Sequence, residues 1–351
     1  WRRRFVIRRS SWKWIAAVLA AVAVIWLLYH AVSARRFDWR LAASSLTHLR
    51  LPWVILAFGF VYATYWGRAV RWAVFLKPLK PHPSFANLLS ATIIGFTAIT
   101  LLGRPGEFVR PYLIAIKEKV PVASQFAAWV LERIADLLMV LLLFGFALAR
   151  IASTGLAVGP KLAPVLGVGG RLAIFAGAAL ILLLFFFRHF TQAAQRGALR
   201  LLGFLPNRFE AGVEKLLSSF FEGVQAIKSD GALLMVLAYS VLEWLLIAAV
   251  YWSLVESFTD FHLNGLDVII FIAFTALGAS IQIPGVGGGS QVMAALVLTE
   301  LFGVRLETAT AFAFFLWILT FLAVVPVGLF LSMKEGLKFR KLRQIRAVDY
   351  S

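Results

Sequence analysis

The sequence predicts an all-α polytopic membrane protein: six transmembrane helices plus two re-entrant helical hairpins in an inverted repeat. Three observations carry this. Of the 351 residues, 61% are hydrophobic and the mean hydropathy is +0.85, whereas a soluble domain is about half apolar. Two apolar runs, Phe85 to Leu102 and Leu266 to Ile283, are each broken by Gly and Pro and followed by a shorter apolar arm. Finally, Lys and Arg sort the loops onto two sides, as orientation in a membrane requires.

The elements follow in order. Residues 1–13 are a basic tail, expected to be cytoplasmic. Residues 14–32 form the first span, read as an uncleaved anchor because no small-residue cleavage site follows. A linker carries Arg35, Arg36, Arg40 and Arg50. Span 2 runs from about Leu51 to Tyr65 and continues into Trp66-Gly67-Arg68-Ala69-Val70-Arg71-Trp72, whose two arginines count as cytoplasmic flanking charge, and the Pro-rich loop around Pro78, Pro81 and Pro83 follows. Phe85 to Leu102 is long enough to cross. Its small and hydroxyl residues (Ser90, Ala91, Thr92, Gly95, Thr97) suit a packed interior more than a lipid face.

The break Gly103-Arg104-Pro105-Gly106-Glu107 comes next, then the arm Phe108 to Ile116. Span 3 runs from Ala123 to Leu148, residues 150–171 read as a Gly/Pro-rich loop, and span 4 runs from Leu172 to Phe187. Residues 207–228 form an amphipathic helix with an Asn207/Glu210 capping box and a stop at Asp230-Gly231. It lies either in the interface or on the protein's own cytoplasmic face. Span 5 is Leu233 to Val255. The second broken stretch is 266–302, the last span is Ala309 to Leu331, and 334–351 is a second basic cytoplasmic tail.

Charge decides between full crossing and re-entry. With two re-entrant hairpins, 26 Lys/Arg fall on the cytoplasmic side and eight outside. With eight full spans the split is 19 to 15. The sharper bias favours re-entry. Non-helical backbone at membrane depth is tolerated only where protein buries it or a cavity lies beside it, so the hairpins imply a cavity. The membrane domain spans 14–333, with repeats over about 51–149 and 233–331. Span 2, hairpin 1 and span 3 correspond to span 5, hairpin 2 and span 6, in opposite orientation. Broken segments at matching places of inverted repeats point to a transporter.

Ionisable residues inside spans are expensive and functional by default. Glu132, Arg133 and Asp136 lie on span 3, with Glu132 and Asp136 on one face, and Glu243 lies near the middle of span 5. Carboxylates in a low-dielectric site suit coupling to protons. The alternative is a structural ion pair of Arg133 with Asp136 or Glu132. Arg104 and Arg110 flank Glu107, and a guanidinium grips phosphate bidentately. Gly285, Gly287 and Gly288 permit close backbone approach, and Gln291 follows them.

Several classes are excluded. The net charge of +18 sits beside apolar runs, so nucleic acid is not expected as a partner. There is no Cys, and the five His are scattered, so no metal site or cofactor is expected. The glycine run is neither a dinucleotide fingerprint nor a P-loop. With no ATP-hydrolysis motif, uphill movement needs an ion gradient or a partner.

Three motifs together resemble a known family. They are Gly103-Arg104-Pro105-Gly106-Glu107 with Arg110, Leu131-Glu132-Arg133-Ile134-Ala135-Asp136, and Pro284-Gly285-Val286-Gly287-Gly288. The chain is similar, over about residues 14–333, to the flippase-like transmembrane domain of lysylphosphatidylglycerol synthases. The resemblance implies a lipid flippase fold. In the full synthases a soluble aminoacyl-transferase domain follows. The chain reads as a stand-alone member without that domain, so lysyl transfer is not expected. Two positions depart from the family pattern. Gln291 stands where an acidic residue is usual, and Trp317-Ile318 where an Arg is frequent.

The expected function is therefore movement of a phospholipid or polyprenyl-linked lipid between leaflets of the cell inner membrane, without ATP and without catalysis. Arg104 and Arg110 would hold the headgroup phosphate. Glu107, Glu132 and Asp136 would contact cationic groups or carry protons. The charged chemistry is expected on the cytoplasmic half. The alternatives are a membrane-embedded enzyme using Glu132 and Asp136 as acid and base, or a regulatory partner of a lipid synthase. A lipid-modifying enzyme and a second copy of the chain are candidate partners.

Overall fold

A computed structural model describes residues 37–180, 182, 214, 218–223, 230–283, 285 and 287–336. The expected N-terminal tail and first span, most of the 207–228 helix and nearly all of the C-terminal tail lie outside these residues.

The linker before span 2 contains a helix, α1 (Trp39–Thr47). Asp38 caps it, its carboxylate accepting from the N–H groups of Arg40 and Leu41 at 2.9 and 3.2 Å. Helix α2 (Leu51–Leu76) follows at 81° to it. The corner falls at Arg50, whose backbone is extended, and Pro52 sits in the first turn of α2, where its missing N–H breaks no helical hydrogen bond. Serine 45 of α1 meets Thr308 at 3.1 Å, which seats α1 on the last helix. Helix α2 is one unbroken rod that carries Arg68 and Arg71 inward.

Helix α3 (Phe85–Leu102) has the expected bounds. It ends at Gly103, whose φ of 71° only glycine adopts readily. A 3₁₀ turn (Arg104–Phe108) leads into α4 (Val109–Glu118), which runs back along α3. A Cβ on Gly106 would lie 2.3 Å from the carbonyl of Ala98, and one on Gly95 would lie 2.5 Å from the Cβ of Arg110. Lys117 reaches Ser90, and the Asn87 amide donates to Glu118 at 2.7 Å. The two helices thus touch from the turn back to the start of α3.

Helix α5 (Val122–Thr154) is longer than span 3 as read. The expected loop over 150–171 is corrected, since α6 (Ala163–Leu180) begins within it. Pro164 sits in the first turn of α6, where proline is at home. Gly169 and Gly170 face Phe144 and Leu148 of α5. Glycines that signal a loop in water here form a small-residue packing stripe.

Helix α7 (Asp230–Ser257) is followed by α8 (Gly265–Gly278), capped by a reciprocal Asn264/Asp267 box. Helix α8 stops at Gly278, short of the expected Ile283. The chain needs the intervening residues for a two-stranded ribbon, β1 (Gln282–Ile283) against β2 (Gly287–Gly288). This ribbon departs from the all-α expectation. Helices α9 (Gly289–Glu300) and α10 (Leu306–Lys334) complete the described chain. Glycines again permit the reversal: a Cβ on Gly278 or on Gly289 would meet the other's carbonyl oxygen at 2.3 Å.

Helices α2 and α7 pack along each other, α3 packs on α10, and α8 packs on α5. Among the described residues, α3, α5, α6, α7 and α10 are long and apolar enough to cross a membrane, and the bent α1–α2 pair would be a sixth. The described piece of the amphipathic segment sits on the protein: Gly223 approaches Ser124 and Ala127 of α5, and Phe221 is buried.

Two predictions follow from the α3–α4 contact. Gly106→Ala should lower stability by about 1–3 kcal/mol through overpacking. Gly145→Ala, with nothing within 4 Å of its Cβ, should be neutral; thermal unfolding in detergent compares them. Glu118 lies outside every one of these spans. Burial raises its carboxyl pKa, but Lys80, Asn87 and the Ser84 N–H outweigh that and hold it below its ordinary value. Its contribution is then complete above the ordinary carboxylate range and lost as the pH falls through and below it. Glu118→Gln should flatten the acid limb of a melting-temperature profile.

Candidate functional site: a buried arginine–carboxylate cluster beside two cavities

Four helices bring charge into the interior. Helix α2 supplies Arg68 and Arg71 one turn apart, α4 supplies Arg110, α5 supplies Glu132, Arg133 and Asp136, and α7 supplies Ser240 and Glu243. Arg71 is the hub and has no solvent exposure. It donates to Glu132 at 2.6 Å, to Asp136 at 2.8 Å and to the Ser240 hydroxyl at 3.0 Å, and it lies 3.0 Å from Glu243. Arg68 pairs with the other oxygen of Glu243 at 2.5 Å. Arg110 donates to the second oxygen of Glu132. Arg133 pairs with Asp136 at 2.8 Å.

Aromatic rings complete the walls. The Arg110 guanidinium lies 4.4 Å from the centre of the Trp72 ring, and that of Arg68 lies 4.6 Å from the centre of Phe96. Trp72 is itself fixed by its indole N–H, which donates to Gln125 at 2.9 Å. Weakly hydrated guanidinium groups tolerate such flat apolar faces.

Two features bear on chemistry. Four arginines face three carboxylates, which leaves one positive charge in excess. Three guanidinium nitrogens, Arg71 Nε, Arg110 Nη1 and Arg133 Nε, are buried without a hydrogen-bond partner. A buried donor left unpaired is costly, and an acceptor-rich anion satisfies several at once.

The fold brings together five of the residues singled out from sequence: Arg110, Glu132, Arg133, Asp136 and Glu243. The Arg133–Asp136 pair that the sequence offers as an alternative is present. Every one of these carboxylates lies against guanidinium groups, because α2 delivers two arginines into their midst. Arg68 and Arg71 were passed over as positive-inside flanking charge. The available signal was that the helical pattern of α2 continues through both to Leu76.

The joint phosphate clamp of Arg104 and Arg110 is also corrected, because the two engage different partners. Arg110 points into the cluster. Arg104 is half exposed, pairs with Glu107 at 2.5 Å, and donates to the carbonyls of Ala279 and Ser280 at 3.2 and 2.9 Å. It therefore ties the first break to the second. Gly285 adds to this tie, its N–H donating to Thr100 O at 2.9 Å.

Gly287 and Gly288 form the ribbon, with Gly287 at a φ of 106°. Gln291 accepts from the Gly288 N–H at 2.7 Å and from the Ser290 hydroxyl at 2.9 Å. A cavity of about 200 Å³ lies between the ribbon and α10, lined by Thr100, Gln291, Trp317 and Thr320 among others. A second, of about 190 Å³, is lined by Tyr65, Arg68, Phe96 and Tyr251 among others. Ser290, Gln291 and Thr320 line both. Among the described residues no group of His, Asp and Glu could hold a metal ion.

Long apolar helices, two Gly-broken segments and an ion cluster in the helix interior define a multi-pass membrane protein with its polar chemistry buried between helices. The chain belongs to the family described as the lysylphosphatidylglycerol synthase TM region, whose model matches residues 14–328. A stretch of 106 residues is 30% identical to "Glycosyltransferase AglD" of Haloferax volcanii, covering 30% of this chain and 17% of that protein. No solved structure matches.

Breaking the hub should be severe. Arg71→Leu leaves buried carboxylates without their shared counter-charge, and removing one partner of a buried pair costs about 3–5 kcal/mol. The variant should melt far below the wild type in detergent. An unchanged melting temperature would mean that the cluster does not hold the helices together.

Proposed function

We propose that this protein moves a lipid with an anionic, phosphate-bearing headgroup between membrane leaflets, without ATP. The observation that carries the reading is the excess positive charge of the buried cluster, with its unpartnered guanidinium nitrogens. A phosphodiester carries one negative charge and several acceptor oxygens, so it complements both. Inside a membrane such a cluster is expensive unless it serves a polar cargo.

In this reading α3 with α4, and α8 with α9, enter the membrane and return. Helices α2 to α5 form one repeat and α7 to α10 its inverted counterpart. The packing of α3 on α10, answered by that of α8 on α5, supports the pairing. The ties from Arg104 to Ala279 and Ser280 support a meeting of the two breaks. Lys and Arg then favour cytoplasmic termini in an inner membrane. Phospholipids and polyprenyl-linked lipids both fit as cargo, and a lipid-modifying enzyme that supplies the cargo fits as a partner. A second reading, favoured by the glycosyltransferase name of the partial relative, is an enzyme acting on a lipid-linked substrate.

Proteoliposomes containing tail-labelled phosphatidylglycerol separate the two. Purified protein should expose inner-leaflet label to a membrane-impermeant quencher, with no new covalent product by mass spectrometry. Arg68→Gln, at a partly open edge of the cluster, should slow this several-fold while the protein still melts cooperatively. A covalent product, or no transfer by the wild type, overturns the transport reading.

A further inference from the structure

The cavity beside the second break has a different chemistry from the cluster. None of its lining residues carries a charge. The amide oxygen of Gln291 is taken up by Gly288 and Ser290, which leaves its NH₂ group to donate. The hydroxyls are committed the other way. Thr100 donates to Phe96 O at 2.9 Å, Thr320 to Leu316 O at 2.9 Å and Ser290 to Gln291, so their lone pairs face outward as acceptors. Trp317 and Phe321, with ring centres 5.1 Å apart, add an aromatic wall.

One donor group, three acceptor hydroxyls and a flat apolar wall complement a compact group bearing several hydroxyls. Its O–H groups can donate to the threonines and serine, accept from Gln291 and lay C–H bonds on Trp317. A headgroup ammonium would find no counter-charge there. A cation–π contact with Trp317 offsets only a fraction of what burying an unpaired ion costs. The charged cluster lies to the other side, since the neighbouring cavity shares Ser290, Gln291 and Thr320 and has one wall formed by Arg68, which pairs with Glu243 of the cluster.

We propose that the cargo headgroup beyond the phosphate is uncharged and hydroxyl-bearing, a polyol or sugar and not an aminoacyl cation, and that Gln291 and Trp317 set this preference. This rests on the transport reading but is tested apart from it. Phosphatidylglycerol, phosphatidylinositol and lysylphosphatidylglycerol, each tail-labelled, are compared for transfer in proteoliposomes. The same lipids, unlabelled, are compared for thermal stabilisation of the detergent-solubilised protein.

The two neutral-headgroup lipids should be transferred several-fold faster and should stabilise more than the lysyl lipid. Gln291→Glu can still accept from Gly288 and Ser290, and it should reverse the order; Trp317→Leu should shrink the preference. A wild type that prefers the lysyl lipid or treats all three alike, or a Gln291→Glu protein with unchanged order, overturns the proposal. If no lipid is transferred, the transport reading fails, and the stabilisation order alone still decides the headgroup preference.

Discussion

The interior depends on Arg71. One fully buried guanidinium joins two carboxylates of α5, the carboxylate of α7 and the hydroxyl of Ser240. Removing an ion from water costs several kcal/mol even after relaxation. The helices can therefore pack only in a register that returns each charge its partners. That constraint sets α2 beside α7 and brings α5 against both. Glu132 extends it, since its second oxygen holds Arg110 and so draws α4 into the same network. Apolar packing in lipid is weakly directional, and the cluster supplies the direction.

The two breaks answer a separate constraint, the close approach of backbone. Gly95 and Gly106 let α4 lie against α3, and Gly278 with Gly289 let the ribbon turn tightly into α9. Each reversal exposes carbonyls that a continuous helix would satisfy. Arg104 takes up those of Ala279 and Ser280, while Thr100 receives the Gly285 N–H. Neither turn is complete without the other. Both cavities are lined by Ser290 and Gln291 of the second break and by Thr320 of α10.

Much of this was legible in sequence, for particular reasons. The bounds of α3 follow from the apolar run Phe85 to Leu102 and the break at Gly103, whose φ is positive. The membership of Glu132, Arg133, Asp136 and Glu243 in one site follows from their cost inside apolar helices. Other features were hidden because one signal has two meanings. Gly169 and Gly170 read as loop in water and as packing surface against α5 in lipid. Arg68 and Arg71 read as flanking charge until α2 is followed to its end. Arg104 and Arg110 are near in sequence, but a 3₁₀ turn sends them to different partners, which spacing alone does not reveal. Glu243 comes from the second half of the sequence and completes the cluster, whereas the cavity between the ribbon and α10, lined by Gln291, has only uncharged walls.

That division of labour bears on how a headgroup could cross. In the proposed transport reading, four arginines against three carboxylates carry one net positive charge, and a single phosphodiester would neutralise it. Any rearrangement that carries the site through low dielectric is then easier with a bound phosphodiester than without one, which favours movement with cargo over futile motion. The neutral cavity extends the same logic to the rest of the headgroup. Hydroxyls exchange water for Gln291, Ser290 and the threonines at little net cost, since hydrogen bonds made and lost differ by only about 0.5–1.5 kcal/mol each. An ammonium would upset that balance, because cation–π attraction to Trp317, about 2 kcal/mol or somewhat more when desolvated, offsets only part of the several kcal/mol of burying an unpaired ion. On this accounting one charged and one uncharged compartment, side by side, suit a cargo whose charge is all in its phosphate.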